Sequence, residues 1–259
     1  MFASRSLIPF VTAGHPDLEA TRDIAVELAR AGAALIEIGI PFSDPVADGP
    51  TIQRSSFDAL RHGYTMDDYL AAVREIRRKT SVPLIFMSYL NPLLRYGLAR
   101  LDDAAESVGL DGLLISDLTP EEAPTVWGDW GAPRHLKTVY LVAPTTTPDR
   151  LAAICSTATG FIYLVSRTGV TGARTALGET LRDLVAKIRR HTTLPVAVGF
   201  GIRAREDVER VWDFADGAVV GSALVEFIEH HRGDRSLPAA CGRFLTRLLP
   251  EPIPERRHP

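Results

Sequence analysis

Cysteine is almost missing from this chain: Cys155 and Cys241 are the only two in 259 residues, far apart and both in segments of helical pattern. A pair so placed neither builds a disulfide framework nor fits a zinc spacing, so both read as reduced core residues. No apolar run approaches the ~20 residues that a membrane helix needs. The N-terminal "MFASRSLIPFVTAGHP" puts one arginine before a short apolar run, but Pro9 interrupts that run, which reads as a first strand and not as a signal peptide. An excess of one charge is also missing. Formal net charge is −3 with acids and bases interspersed, so no basic stripe points to nucleic acid and no polybasic helix to a membrane surface. The cytoplasm is then the default location. The seven histidines show no metal-ligand spacing. Disorder is excluded by a hydrophobic content of 46%.

What is present is alternation. Short apolar runs fall at 7–13, 35–40, 83–89, 112–117, 138–143, 161–166, 195–201 and 217–223, and segments of helical period lie between them. In "ETLRDLVAKIRRH", Leu181, Leu184, Val185 and Ile188 share one face; in "REDVERVWDFA", Val208, Val211, Trp212 and Ala215 do. "DLEATRDIAVELARAG" ends on Gly32, suited to a helix C′ position. "DLTPEEAP" offers Thr119 and Glu122 as a capping box. Between Pro50 and Thr80 there is room for two helices. Nearly continuous apolar strands alternating with helices predict a parallel sheet covered by helices. Eight such units predict an α/β fold, a single closed (β/α)8 barrel of the TIM type over residues 1–250, with a Pro-rich charged tail at 251–259. An open doubly wound sheet is the alternative; it usually carries a G-x-G-x-x-G turn after its first strand, where this chain has "TAGHPD".

"IEIGIPFSDPVADGPTIQ" (36–53) places an acid inside an apolar strand. Side chains of a barrel strand alternate between lumen and helix layer. Ile36, Ile38 and Ile40 suit the helix side, so Leu35, Glu37 and Gly39 face the lumen. Glu37 therefore points inward near the C-terminal end of its strand, where active sites of this fold lie. A buried carboxylate must find a partner or take a raised pKa, and a lumen ion pair would account for it as well as catalysis would. Asp48 lies in the turn-rich loop beyond; an Asp-Gly turn explains it equally, and Asp44 before Pro45 is as good a turn residue. Two carboxylates in different environments can hold different protonation states, which is how acid–base pairs are built.

Glycines supply the other end of the candidate site. "GFG" (199–201) closes the seventh run and "GSA" (221–223) the eighth. Loops after strands seven and eight bind phosphate in this fold through backbone N–H groups and a helix N-terminus. Gly199, Gly201, Gly221 and Ser222 fit that use, although close strand–helix packing also asks for glycine there. "SRTGVTGAR" (166–174) is polar with hinge glycines, as a mobile lid would be.

The ordered stretches "PFVTAGHPD", "IEIGIPFSDPVADGPTIQ", "MSYLNPLLRYG", "LLISDLTPEE", "YLVSRTGVTGAR", "VGFGI" and "VVGSALV" resemble those of tryptophan synthase alpha chains over about residues 7 to 230. The resemblance implies retro-aldol cleavage of indole-3-glycerol phosphate to indole and glyceraldehyde-3-phosphate, with no metal and no organic cofactor. It also implies a beta subunit as partner in an alpha–beta–beta–alpha assembly. It assigns Glu37 as the acid–base at the scissile bond and Asp48 as acceptor of the indole N–H. It assigns Gly172, Gly199, Gly201, Gly221 and Ser222 to the phosphate. Phe10, Ile52, Tyr89 and Tyr163 would line the substrate, and Thr171 of the lid would close onto Asp48. Pro41 to Asp44 would lie exposed at the barrel top, with Pro41 and Asp44 as partner contacts. Phe10 could equally be barrel packing; Tyr89 and Asp117 could belong to a hydrogen-bonded layer or a helix cap; Arg167 could be merely solvated. Two features depart from the family pattern. Only "MFASRS" precedes Leu7, so the usual N-terminal helix under the barrel is missing from this sequence, and His15 stands where an acid is common. A stand-alone lyase releasing free indole would carry the same two acids.

Overall fold

The structure, a computed structural model, describes residues 1–128, 132–165, 174–199 and 201–250. The tail at 251–259 lies outside them. Eight parallel strands pair in chain order: β1 (Ser6–Thr12), β2 (Ile36–Gly39), β3 (Leu84–Ser88), β4 (Gly112–Ile115), β5 (Lys137–Val142), β6 (Ile162–Val165), β7 (Val196–Gly199) and β8 (Gly217–Val220). β8 pairs back onto β1, with Ser6 opposite Gly217 and Pro9 opposite Val220. That pairing closes the sheet and excludes the open alternative; the fold is a (β/α)8 TIM barrel.

Eleven helices surround it among the described residues: α1 (Leu18–Arg30), α2 (Pro50–Leu60), α3 (Met66–Arg77), α4 (Leu90–Tyr96), α5 (Leu98–Val108), α6 (Ala123–Trp127), α7 (Pro148–Thr157), α8 (Arg174–Ile188), α9 (Arg205–Trp212), α10 (Ser222–His230) and α11 (Leu237–Leu248). The segment after β2 holds two helices, as its length predicts. The doubled helices after β3 and β8 are additions that periodicity alone does not separate. Gly32 takes the C′ position of α1 at φ +99°, and the N–H of Ala33 reaches back to the carbonyl of Leu28. Thr119 and Glu122 exchange the expected capping-box bonds, but regular helix starts only at Ala123. The eighth apolar run is shorter as a strand than expected: it stops at Val220, and Ser222 already begins α10.

The core has two compartments. Leu7, Val11, Ile36, Ile38 and Phe86 pack outward under the helices, while Ile8, Leu35, Ile85, Leu114, Val139, Phe161, Tyr163, Ala197 and Val219 fill the lumen. This is the period-two alternation of a barrel strand. Met1 and Phe2, ahead of β1, pack onto the lumen cluster, Phe2 edge-to-face with Phe161 at 5.1 Å. Cys155 and Cys241 are buried and free, and burial pushes both thiols up, Cys241 to about 12. Among the described residues no helix is long and apolar enough to cross a membrane.

A buried carboxylate fixes the entry to β5. Asp102 on α5 is fully buried and accepts from the backbone N–H groups of Arg134 (3.0 Å), His135 (3.1 Å) and Leu136 (3.0 Å). Asp102→Ala strands these three donors at once. Each unsatisfied buried group costs about 1–3 kcal/mol, so we expect a loss of about 3 kcal/mol, read as a fall in Tm of roughly 6–12 °C. A fall corresponding to less than about 1 kcal/mol would mean that water replaces the carboxylate.

Candidate active site

β2 brings Glu37 into the lumen beside Phe10 on β1 and Ile85 on β3. The carboxyl is completely buried, and neither oxygen has a hydrogen-bond partner. The lumen ion pair allowed by the sequence is therefore not there. Desolvation alone acts on the group, and it pushes the pKa up to about 8. Burial therefore favours the neutral, protonated form of Glu37 at neutral pH.

Asp48 sits above, half-buried in the loop that leads into α2. Tyr89, the residue before α4, donates through Oη to Asp48 Oδ2 at 3.1 Å, and that tyrosine hydroxyl in turn accepts from the N–H of Ala47 at 2.9 Å. Burial raises the Asp48 pKa and the Tyr89 hydroxyl opposes that rise. Gln53 braces the loop from α2, its side-chain amide donating to the carbonyls of Asp48 (2.9 Å) and Pro45 (3.3 Å). Asp44 points instead to solvent, accepting from Ser43 Oγ at 2.6 Å. Asp48 is thus the carboxylate that the loop turns into the site.

Phe10, Gly39, Asp48, Ile52 and Tyr89 line one narrow cleft. The tip of the Phe10 ring abuts Gly39: a Cβ there would sit 2.4 Å from Phe10 Cζ, so no larger residue fits without moving the ring. Tyr163 is buried in the lumen, where desolvation above all, and then the Glu37 and Asp48 carboxylates once ionised at alkaline pH, raise its pKa well above the usual value. The two acids therefore act on one neighbourhood. Gly199 packs against Tyr163, and Gly221, the residue before α10, lies over Phe10, so the glycine end adjoins the acid end. Gly201 and Ser222 are exposed at the same end of the barrel.

The sequence profile of the tryptophan synthase alpha chain family matches residues 3–241. The chain belongs to this family. It is 48% identical to the tryptophan synthase alpha chain of Geotalea uraniireducens over 245 residues, 94% of this chain and 91% of that one. It is 47% identical to that of Chloroflexus aurantiacus over 225 residues, 86% and 84% of the two chains. The solved tryptophan synthase A-subunit of Pyrococcus furiosus superimposes with a TM-score of 0.86 at 39% identity, covering 96% of this chain and 99% of that one. A chain from the P. furiosus tryptophan synthase complex of two alpha and two beta subunits gives 0.87 at 40% identity, with the same coverage.

Several residues that the alpha-chain resemblance singles out need comment. Pro41 is buried, not exposed, because the chain leaving β2 folds inward there; exposure begins only at Ser43. Asp117 proves to be a cap, accepting from the N–H of Leu90 at the start of α4. Thr171, Gly172 and Arg167 fall outside the described residues. The reading of residue types missed the polar floor of the cleft: Thr12, Ser56, Ser88 and Ser116 also line it. The Ser116 hydroxyl is buried with no partner. Small polar residues at the ends of two apolar strands were the available signal.

Proposed function

We propose that this chain is the alpha subunit of a tryptophan synthase, cleaving indole-3-glycerol phosphate by retro-aldol chemistry and passing indole to a beta subunit. The observation that carries the reading is Glu37, an unpartnered lumen acid whose burial favours the protonated form, on the strand that leads into the Asp48 loop. Carbon–carbon cleavage requires the indole ring carbon to be protonated so that it leaves as neutral indole. Glu37 donates that proton, and its carboxylate then takes the proton of the adjacent glycerol hydroxyl as the aldehyde forms. Asp48 accepts from the ring N–H and stabilises the positive charge on the ring. Phe10 and Ile52 flank the indole, and Tyr163 lies along the substrate. Gly199, Gly201, Gly221 and Ser222 receive the phosphate, whose charge favours the N-terminus of α10; the family resemblance adds Gly172 to the phosphate and Thr171 to the lid. No resident metal or cofactor enters this scheme. The cytoplasm is its natural setting.

The beta subunit would dock on the barrel top, where Asp44 is exposed and Val46 is 83% accessible. Docking there stabilises the closed arrangement of the Asp48 loop through differential binding. An indole-release assay with and without a cognate beta subunit tests both activity and partner. We expect kcat to rise more than ~10-fold on addition, a barrier reduction of at least ~1.4 kcal/mol. Asp44→Ala should reduce this activation more than the basal rate. Full activity in isolation, indifferent to any beta subunit, would select a stand-alone lyase; no indole in either arm would refute the reading.

A further inference from the structure

His15 is 3% exposed at the end of the loop after β1, and both of its ring nitrogens face a carboxylate from a different helix. Nδ1 lies 3.0 Å from Asp58 Oδ2 on α2. Nε2 lies 3.2 Å from Glu229 Oε2 on α10, an ion-pair distance without hydrogen-bond alignment. Arg232, just beyond α10, adds a second cation at 2.9 Å from the same Asp58 oxygen. The Asp58 carboxyl is held below the usual range, with the Arg232 and His15 hydrogen bonds opposing the desolvation that would raise it. The loop itself is pinned: the N–H of His15 donates to the carbonyl of Thr12, and His62 meets the carbonyl of Pro16 at 2.8 Å.

The two helices tied here begin at opposite ends of the site. α2 starts directly after the Asp48 loop and carries Ile52; α10 starts directly after Gly221. Both end at His15, since Asp58 and Glu229 lie in their last turns, and α10 packs against both α2 and β1. We propose that His15 is a positioning residue that joins the far ends of α2 and α10 and thereby sets the spacing between the indole-side acid and the phosphate-side helix. It touches no substrate; it acts through two helices. This deepens the functional reading above and rests on its assignment of α10 to the phosphate. A buried ring is well suited to the task, because imidazole has few rotamers to lose and its two nitrogens point to different helices.

The test compares His15→Gln, Glu229→Gln and the double variant. Glu229 is half-exposed, so its substitution leaves folding intact even if His15→Gln does not. Each single variant should raise KM for indole-3-glycerol phosphate about fivefold with kcat within about twofold, and the double variant should be no worse than either, as coupled residues require. In hydrogen exchange, the amides of 222–230 should open about tenfold faster in the variants, with α7 unchanged. Equal loss in kcat with KM constant, effects that multiply in the double variant, or unchanged exchange in α10 would each overturn the proposal. The exchange measurement needs no turnover, so failure of the tether and failure of the lyase reading give separate results.

Discussion

Glu37→Gln is expected to lower kcat at least ~10²-fold while leaving glycerol phosphate binding nearly intact. Glutamine fills the same lumen volume but has no proton to give to the ring carbon. The same substitution should stabilise the protein at alkaline pH. Glu37 keeps its proton in the folded barrel up to about pH 8, whereas the unfolded chain loses it near the ordinary glutamate value of 4.5. The folded state therefore binds more protons between these values, and stability falls as pH rises through that window, levelling off above about 8. One pKa unit corresponds to about 1.4 kcal/mol, so the ceiling on this cost is about 5 kcal/mol. Thermal melts from pH 4.5 to 9 should show the variant gaining on the native chain as pH rises, with the gap closing at the acid end. A variant keeping a tenth of native kcat would remove Glu37 from the chemistry. Parallel melting curves would mean that water reaches the carboxyl.

Asp48→Asn should be the second large loss, again at least ~10²-fold in kcat/KM, because an amide carries no charge to balance the cationic ring. It differs from Glu37→Gln in binding: indole itself should bind more weakly, since its N–H loses an anionic acceptor. Tyr89→Phe should fall between native and Asp48→Asn. It removes the donor at 3.1 Å from Asp48 and leaves the N–H of Ala47 without its acceptor, but it spares the carboxylate. Burial raises the Asp48 pKa, so activity should decline on the acid side at a higher pH than an ordinary aspartate would give, as the group protonates. Isotherms for indole and pH–rate profiles of the three proteins check this. Unchanged indole affinity in Asp48→Asn would place the N–H elsewhere.

The division of labour between sequence and tertiary structure follows the range of the forces. All eight strands and the inward face of Glu37 were legible in the chain itself, because alternation between lumen and helix layer is a local property of successive residues. Gly32 as a helix terminus was legible for the same reason, as was the resemblance carried by the long stretch around Asp48. Strand ends were less so: the run "GAVVGSA" through Ala223 is all small or apolar residues, and only the turn at Gly221 converts its last residues into the start of α10. Pairings across the barrel were not legible at all. Asp48 and Asp44 are equivalent as turn residues; Tyr89, 41 positions away, reaches only one of them, and Pro41 is buried by the same inward path of the chain. Whether Glu37 had an ionic partner depended on which side chains the closed lumen placed around it, and the answer was none. His15 was visible only as a departure from a pattern; its two carboxylates lie 43 and 214 positions further on, and barrel closure alone puts them on one ring. Local periodicity fixes which way a residue faces, while what it meets there is decided by contacts between distant segments.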